Sequence, residues 1–281
     1  MLVLDTPAAM NAWTVEQRLH LRTIALVPTM GALHAGHLAL ITEAQHRADL
    51  TVVSIFVNPL QFNRPDDFAG YPRPMESDID RCREQGVAAV YAPTQSNMYP
   101  PLFDTHIEPA HLADAHEGAG RPGHFRGVAT VVAKLFNAVG ANVAVFGEKD
   151  YQQLAVIRRM ATDLDMGIDI VGVRTVRHDD GVAMSSRNGL LTPHQRSAAV
   201  VVPAALQAAR AAFAEGAELS RDLIGIATEV VSGEPLARLE YVDIVHPETL
   251  VASAEATNTS RVLIAVWFDQ VRLIDNVALV G

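Results

Sequence analysis

The feature that most constrains this chain is an alternation along its first 175 or so residues, where short continuous apolar runs are separated by stretches of helical periodicity. The runs are TIALVP (23–28), LTVVSIFV (50–57), VAAVYA (87–92), NVAVFG (142–147) and IDIVGVRT (168–175). A strand with one solvated face alternates apolar with polar residues, whereas a run apolar throughout suits a strand covered on both faces of a parallel sheet. Between the runs, HLALITEAQHRA (37–48), SDIDRCREQ (77–85), VATVVAKLFNAV (128–139) and DYQQLAVIRRMATDL (150–164) read as helices. The expectation is an α/β fold, a doubly wound Rossmann-like parallel sheet, with ligands bound beyond the carboxyl ends of its strands.

The pattern then changes. Residues 93–126 form a connection too long for a plain turn, and such stretches usually carry function or small elements of their own. Two further helices are expected at 193–216, with a kink at Pro203, and at 221–233. LEYVDIV, RVLIAVWF and VRLID alternate like strands of a small antiparallel sheet. The expected organisation is a Rossmann-like ligand-binding domain over residues 1–175 and a smaller C-terminal α+β domain over 176–281.

Charge narrows the function. A formal net charge of −10 argues against a general nucleic-acid or anionic-membrane binder, although it leaves room for a local basic pocket. Among the 22 basic residues only Lys134 and Lys149 are lysines. A single cysteine, Cys82, excludes an internal disulfide framework and any multi-cysteine metal site. The N-terminal segment lacks the basic and apolar regions of a secretory signal, and no long uncharged apolar run suggests a membrane span. These features lead to the expectation of a soluble, cytoplasmic protein.

The chemistry-bearing residues cluster where strands end. VPTMGALHAGHLALI (27–41) leaves the first run through Gly31 and places His34 and His37 three apart at a helix start, with Gly36 between them. Both imidazoles and the helix's unpaired N–H groups can face one phosphate-sized anion. A zinc site at the two histidines needs further ligands, and no partner spacing supplies them. Asn58 and Gln61, in SIFVNPLQF, are neutral amides suited to orienting hydroxyls or a carboxylate. In FGEKDYQQL, Gly147 permits close backbone approach, Lys149 brings a positive charge, Asp150 suits a ribose diol or a helix cap, and Gln153 follows one turn later. GVAMSSRNGLL (181–191) holds two serines and an arginine in a donor-rich loop.

Taken in order, PTMGALHAGH, FVNPLQF, FGEKDYQQL and DGVAMSSRN resemble the AMP-forming pantoate–β-alanine ligases, the pantothenate synthetase family, over nearly the whole chain. That family lies within the HxGH nucleotidyltransferase superfamily. The resemblance implies a two-step reaction. The carboxylate of (R)-pantoate attacks the α-phosphorus of ATP to give pantoyl-adenylate and pyrophosphate, and the amine of β-alanine then displaces AMP. It also implies an ATP site of Met30, Gly31, Ala32, Leu33, His34, Ala35, Gly36, His37, Gly147, Glu148, Lys149, Asp150, Val176, Met184, Ser185, Ser186 and Arg187. His37 would be the catalytic proton donor, Gln61 and Gln153 the pantoate ligands, and Asn58 and Gln61 the residues near β-alanine, with Tyr71 and Arg121 lining the cleft.

Magnesium on the ATP phosphates and a homodimer are implied as well; because a mixed anhydride is readily hydrolysed, the smaller C-terminal domain is expected to close over ATP as a lid, and the net charge leads to the expectation of no nucleic-acid or membrane partner. One departure stands out: where the family often has adjacent acids near its magnesium, YPRPMESDID is interrupted by Ser77, leaving Glu76 and Asp78 unassigned as metal contacts. The nearest rival function is a nucleotidyltransferase of the same superfamily, which would need a cationic acceptor pocket where this chain has Gln61 and Gln153.

Overall fold

Six parallel strands, β1 (Leu2–Leu4), β2 (Ile24–Thr29), β3 (Leu50–Ile55), β4 (Ala89–Tyr91), β5 (Val143–Gly147) and β6 (Asp169–Val173), form one sheet in the order β1-β4-β3-β2-β5-β6. These elements come from a computed structural model that describes residues 1–280. Side-chain parity along the strands builds two cores. Ile24, Leu26, Val52, Tyr91 and Phe146 pack on one face with α1 (Pro7–Leu19), α7 (His124–Val139) and α8 (Tyr151–Asp163). Ala25, Val27, Val53, Val90 and Val145 pack on the other with α2 (Ala35–Arg47) and α4 (Met75–Glu84). Cover on both faces is why the strands read as unbroken apolar runs.

Strand order reverses at β2, which has β3 on one side and β5 on the other. β2 pairs with β3 over its full length, from Ile24↔Leu50 to Thr29↔Ile55, but with β5 only at Ala25↔Val143 and Leu26↔Ala144. Beyond Leu26, toward their carboxyl ends, the two strands are no longer paired. That is the topological switch point at which open α/β sheets bind ligands.

Two elements carry no apolar-run signal. β1 is a three-residue edge strand with Leu2 and Val3 half exposed, and α1 starts at Pro7 behind Thr6, whose hydroxyl accepts the Ala9 N–H. The long 93–126 connection holds α5 (Gln95–Met98), a 3-10 turn at His111–Ala113, α6 (Glu117–Gly120) and the first turn of α7. The buried Gln152 amide organises it, donating to the carbonyls of Leu112 and Ala115 and accepting the Glu117 N–H.

The chain divides into two compact units, Met1–Glu148 with Gln152–Arg174, and Lys149–Tyr151 with Thr175–Gly281. The division at Arg174 is one residue from the expected boundary, but the Lys149–Tyr151 segment packs with the C-terminal unit and not with the sheet that delivers it. That second unit is an antiparallel sheet, β7 (Arg238–Val245), β8 (Arg261–Phe268) and β9 (Val271–Ala278), packed with α10 (Val201–Ala214) and α11 (Ser220–Ser232).

The helix expected at 193–216 is not kinked at Pro203 but broken before it, into α9 (Pro193–Ala198) and α10. Pro203 has no N–H to return to the Ala199 carbonyl, which accepts the Val202 N–H at 3.1 Å in a tighter turn instead. By length and composition alone, Pro193–Ala214 is apolar enough to cross a membrane. Its Ala198, Val202, Ala205, Leu206 and Ala209 are buried in the core of the second unit.

The approach of α7 to the 3-10 turn Pro59–Gln61 depends on Gly127, where a Cβ would lie 2.3 Å from the Leu60 carbonyl oxygen and 2.7 Å from the Gln61 nitrogen. Gly127→Ala is expected to cost about 1–3 kcal/mol in urea denaturation. Gly70→Ala, which points into open space at the end of α3 (Pro65–Gly70), should stay within about 0.5 kcal/mol of the wild type.

Candidate active site

The loop leaving β2 is shaped by a buried carboxylate. Thr29 Oγ1 donates to the Ser54 carbonyl at 2.7 Å and accepts the Gly31 N–H at 3.1 Å. The backbone then turns through two left-handed residues, Gly31 (φ +82°) and Ala32 (φ +52°). The second is unfavourable for an L side chain by about 1–2 kcal/mol. The turn aims successive N–H groups of Ala32 and Leu33 at the two oxygens of Asp78, at 2.7 and 2.8 Å. Asp78, on α4, is 1% exposed, and a Cβ at Gly31 would crowd its Oδ2 at 2.9 Å. One turn along, Arg81 donates to the Leu33 carbonyl. Both Asp78 oxygens thus hold the loop, and this explains the residue without a metal.

Beyond that loop, His34 caps α2 and His37 lies in its first turn. His34 Nδ1 accepts the Gly36 N–H at 3.1 Å, and His37 Nδ1 accepts the His34 N–H at 3.2 Å. An amide N–H only donates, so both Nδ1 atoms are acceptors and each neutral ring carries its proton on Nε2. The rings lie 4.2 Å apart between centroids. The sequence predicted two imidazoles at a helix start; the structure adds that both are locked in one tautomer.

The β3 exit supplies the amides. Asn58 caps the Pro59–Gln61 turn and is 1% exposed; Gln61 is also buried. Asn58 Nδ2 donates to Gln61 Oε1 and to the Gly127 carbonyl, both at 3.0 Å, and Gln61 Nε2 donates to Met30 Sδ at 3.1 Å. Met30 opens the HxGH loop, so the two motifs meet through this contact. The Gln61 carbonyl accepts from His124 Nδ1 at 2.8 Å and from Arg121 at 3.1 Å. A carbonyl only accepts, so His124 is protonated on Nδ1, and its Nε2 faces the Arg121 guanidinium at 3.1 Å. Tyr71 packs edge-on against Phe62, and Gln153 is half-buried on the first turn of α8.

Gly147 ends β5 and Glu148–Asp150 forms a 3-10 turn. Within the C-terminal unit, the Lys149 carbonyl accepts from Asn276 at 2.9 Å, and its ammonium lies 3.6 Å from an Asp150 oxygen. Arg261 stacks on the Tyr151 ring at 3.8 Å. A small concavity in this unit is lined by Lys149, Ser185, Asn188 and Asp275. Arg177 grips the buried Asp275 of this lining through both oxygens at 2.6 and 3.0 Å. Met184 N–H bonds the Val176 carbonyl at 2.9 Å, and Ser185 caps the Ser186–Leu190 turn through the Arg187 N–H. Asp78, His124, Gln152 and Asp275 are supporting residues that the sequence did not mark as such. Their burial, the one trait that separates them from surface polar residues, arises only in the tertiary structure.

Known proteins are similar to this chain in sequence and fold. The family described as Pantoate-beta-alanine ligase matches residues 2–278. The chain belongs to that family. It is 45% identical over 279 residues to a pantothenate synthetase of Geotalea uraniireducens, covering 99% of both chains. The crystal structure of pantothenate synthetase from Thermus thermophilus superposes with a TM-score of 0.94 at 42% identity, covering 100% of both chains. A pantoate-beta-alanine ligase from Francisella tularensis, solved in complex with beta-gamma ATP and beta-alanine, matches with a TM-score of 0.82 at 32% identity, covering 99% of this chain and 98% of the other.

Beneath the loop, one turn along α4 from Asp78, the Cys82 thiol is fully buried, and burial together with the nearby Asp78 charge pushes its pKa up to about 11. It is expected to resist a thiol-specific chromogenic reagent at pH 8 in the native protein and to react stoichiometrically in denaturant. Rapid native labelling would mean that the loop and α4 open readily.

Proposed function

We propose that this chain condenses (R)-pantoate with β-alanine to pantothenate, at the expense of ATP and through pantoyl-adenylate. The observation that carries the reading is the pair of tautomer-locked imidazoles at the start of α2, joined through Met30 to the Gln61 amide. Membership of the ligase family and the ATP- and β-alanine-bound relative support the same assignment.

The chemistry suits these groups. In the first step, the pantoate carboxylate forms a bond to the α-phosphorus as the bond to the pyrophosphate oxygen breaks. Such a displacement needs positioning and charge neutralisation more than a protein nucleophile. His34 and His37 present Nε2–H donors to phosphate oxygens at the N-terminal end of α2, where the helix dipole favours an anion. His37 is assigned the catalytic donor role, as a hydrogen-bond donor through Nε2–H, its Nδ1 being committed to the His34 N–H. Lys149, Ser185, Ser186 and Arg187 are assigned to the phosphates, Asp150 to the ribose, and Met30 to Gly36, Gly147, Glu148, Val176 and Met184 to the rest of the nucleotide. Gln61 and Gln153 are assigned to pantoate.

Among the described residues no group of three or more His, Cys, Asp or Glu side chains could hold a metal. Magnesium is assigned to the ATP phosphates, with water completing its shell. The protein is taken to act as a cytoplasmic homodimer.

Exchange of labelled pyrophosphate into ATP tests the assignment. It should require pantoate, and β-alanine should not be needed for it. His37→Ala should lower the exchange rate at least about a hundredfold while leaving the thermal transition within a few degrees of wild type. Exchange that is indifferent to pantoate but driven by a phosphorylated acceptor would replace this reading with a nucleotidyltransferase.

A further inference from the structure

The Asn58–Gln61 pair raises a question of direction. An amide side chain can present either its oxygen or its NH2 group to a ligand, and which end faces out determines what it selects. Two backbone groups settle it here. Asn58 Oδ1 accepts the Leu60 N–H at 3.3 Å, and Asn58 Nδ2 donates to the Gly127 carbonyl at 3.0 Å. A backbone N–H cannot accept and a carbonyl cannot donate, so the Asn58 amide has one possible orientation. Its second Nδ2 hydrogen must then go to Gln61, which is obliged to offer its oxygen there and to turn its NH2 end toward Met30.

One further contact completes the arrangement. The Tyr99 hydroxyl lies 2.7 Å from Asn58 Oδ1, the shortest bond in the set. Burial raises the Tyr99 pKa far above that of an ordinary phenol, so the group stays protonated and donates. Its ring is fixed by Phe56 and Phe103, with centroids at 6.0 and 4.9 Å. All four hydrogen-bonding positions of Asn58 are therefore taken within the protein, by Leu60, Tyr99, Gly127 and Gln61.

We propose that Tyr99 and Asn58 are positioning residues that lock the Gln61 amide with its NH2 end toward the catalytic loop, so that the site selects a hydrogen-bond acceptor, the substrate carboxylate. Asn58 then acts through Gln61 and not as a direct ligand of β-alanine. Met30 sulfur, a weak acceptor, holds the NH2 end and is readily outcompeted by a carboxylate oxygen. This inference rests on the reading that Gln61 meets pantoate.

The test compares pantoate with its carboxamide, pantoamide, as a non-reacting competitor in pyrophosphate exchange. Tyr99→Phe keeps the ring packing and removes one donor. It should raise the KM for pantoate about three- to tenfold, the range of one lost neutral hydrogen bond, and leave kcat and the KM for ATP within about twofold. Asn58→Asp removes the donor to Gln61, whose amide should flip to give its NH2 to the new carboxylate and its oxygen to the substrate. Pantoate should then bind more than about tenfold more weakly while pantoamide, which can donate, binds as well as before or better.

A merely structural defect would weaken both ligands and ATP together. Parallel loss of pantoate and pantoamide, or wild-type pantoate kinetics in both variants, would overturn the proposal. If Asn58→Asp does not fold, the Tyr99→Phe kinetics decide. Absence of pantoate-dependent exchange in the wild type would instead defeat the functional reading on which this rests.

Discussion

A single buried carboxylate carries much of this architecture. Asp78 reaches from α4 to the two N–H groups at the tightest point of the loop that leaves β2. An unpaired carboxylate there would be prohibitively costly, and so would two orphaned amide hydrogens, so each makes the other tolerable. The bond pair also offsets the left-handed backbone at Ala32. Everything downstream inherits that geometry: where α2 begins, which backbone hydrogens the imidazoles accept, and where Met30 meets Gln61.

Under the proposed assignment, anion recognition rests on groups of fixed polarity rather than on net charge. The chain carries a formal charge of −10, yet its assigned substrates are a carboxylate and a triphosphate. Imidazole Nε2–H groups, an amide turned by its neighbours and helix N-terminal N–H groups all donate without adding positive charge. Lys149 and Arg187 are the exceptions, and Lys149, one of only two lysines in a chain that otherwise uses arginine, stands apart. Its side chain is largely buried and lies near Asp150, while its backbone is tied to Asn276 in the C-terminal unit.

Much of the fold was legible because burial on both sheet faces leaves a direct trace in sequence. The runs at 50–57, 87–92, 142–147 and 168–175 each contain a strand, and the run at 23–28 matches β2 shifted by one residue, to Ile24–Thr29. β1 left no trace because an edge strand of three residues, two of them half exposed, has neither a long apolar run nor a period. α1 was marked by Thr6-Pro7, a capping signal weaker than hydrophobic periodicity. Pro203 correctly announced an interruption, but the break falls earlier because the proline deprives a carbonyl one turn before it. The histidines, amides and basic-serine loop were visible as motifs. Asp78 was visible as an acid of the YPRPMESDID stretch, weighed there only as a metal contact, and no spacing rule shows that it faces inward. The orientation of Gln61 was equally hidden, since it is set by backbone groups of Leu60 and Gly127, far apart in sequence.

Whether Asp78 shapes the nucleotide-handling loop is the point on which everything else turns. Asp78→Asn keeps the side chain's size but turns one acceptor into a donor facing an N–H. Initial rates of pantoate-dependent pyrophosphate exchange, measured beside the thermal transition, would read the effect. A folded variant with exchange reduced about ten- to hundredfold, the range of one lost charge-assisted pair, is the predicted result. A folded variant exchanging at the wild-type rate would contradict it.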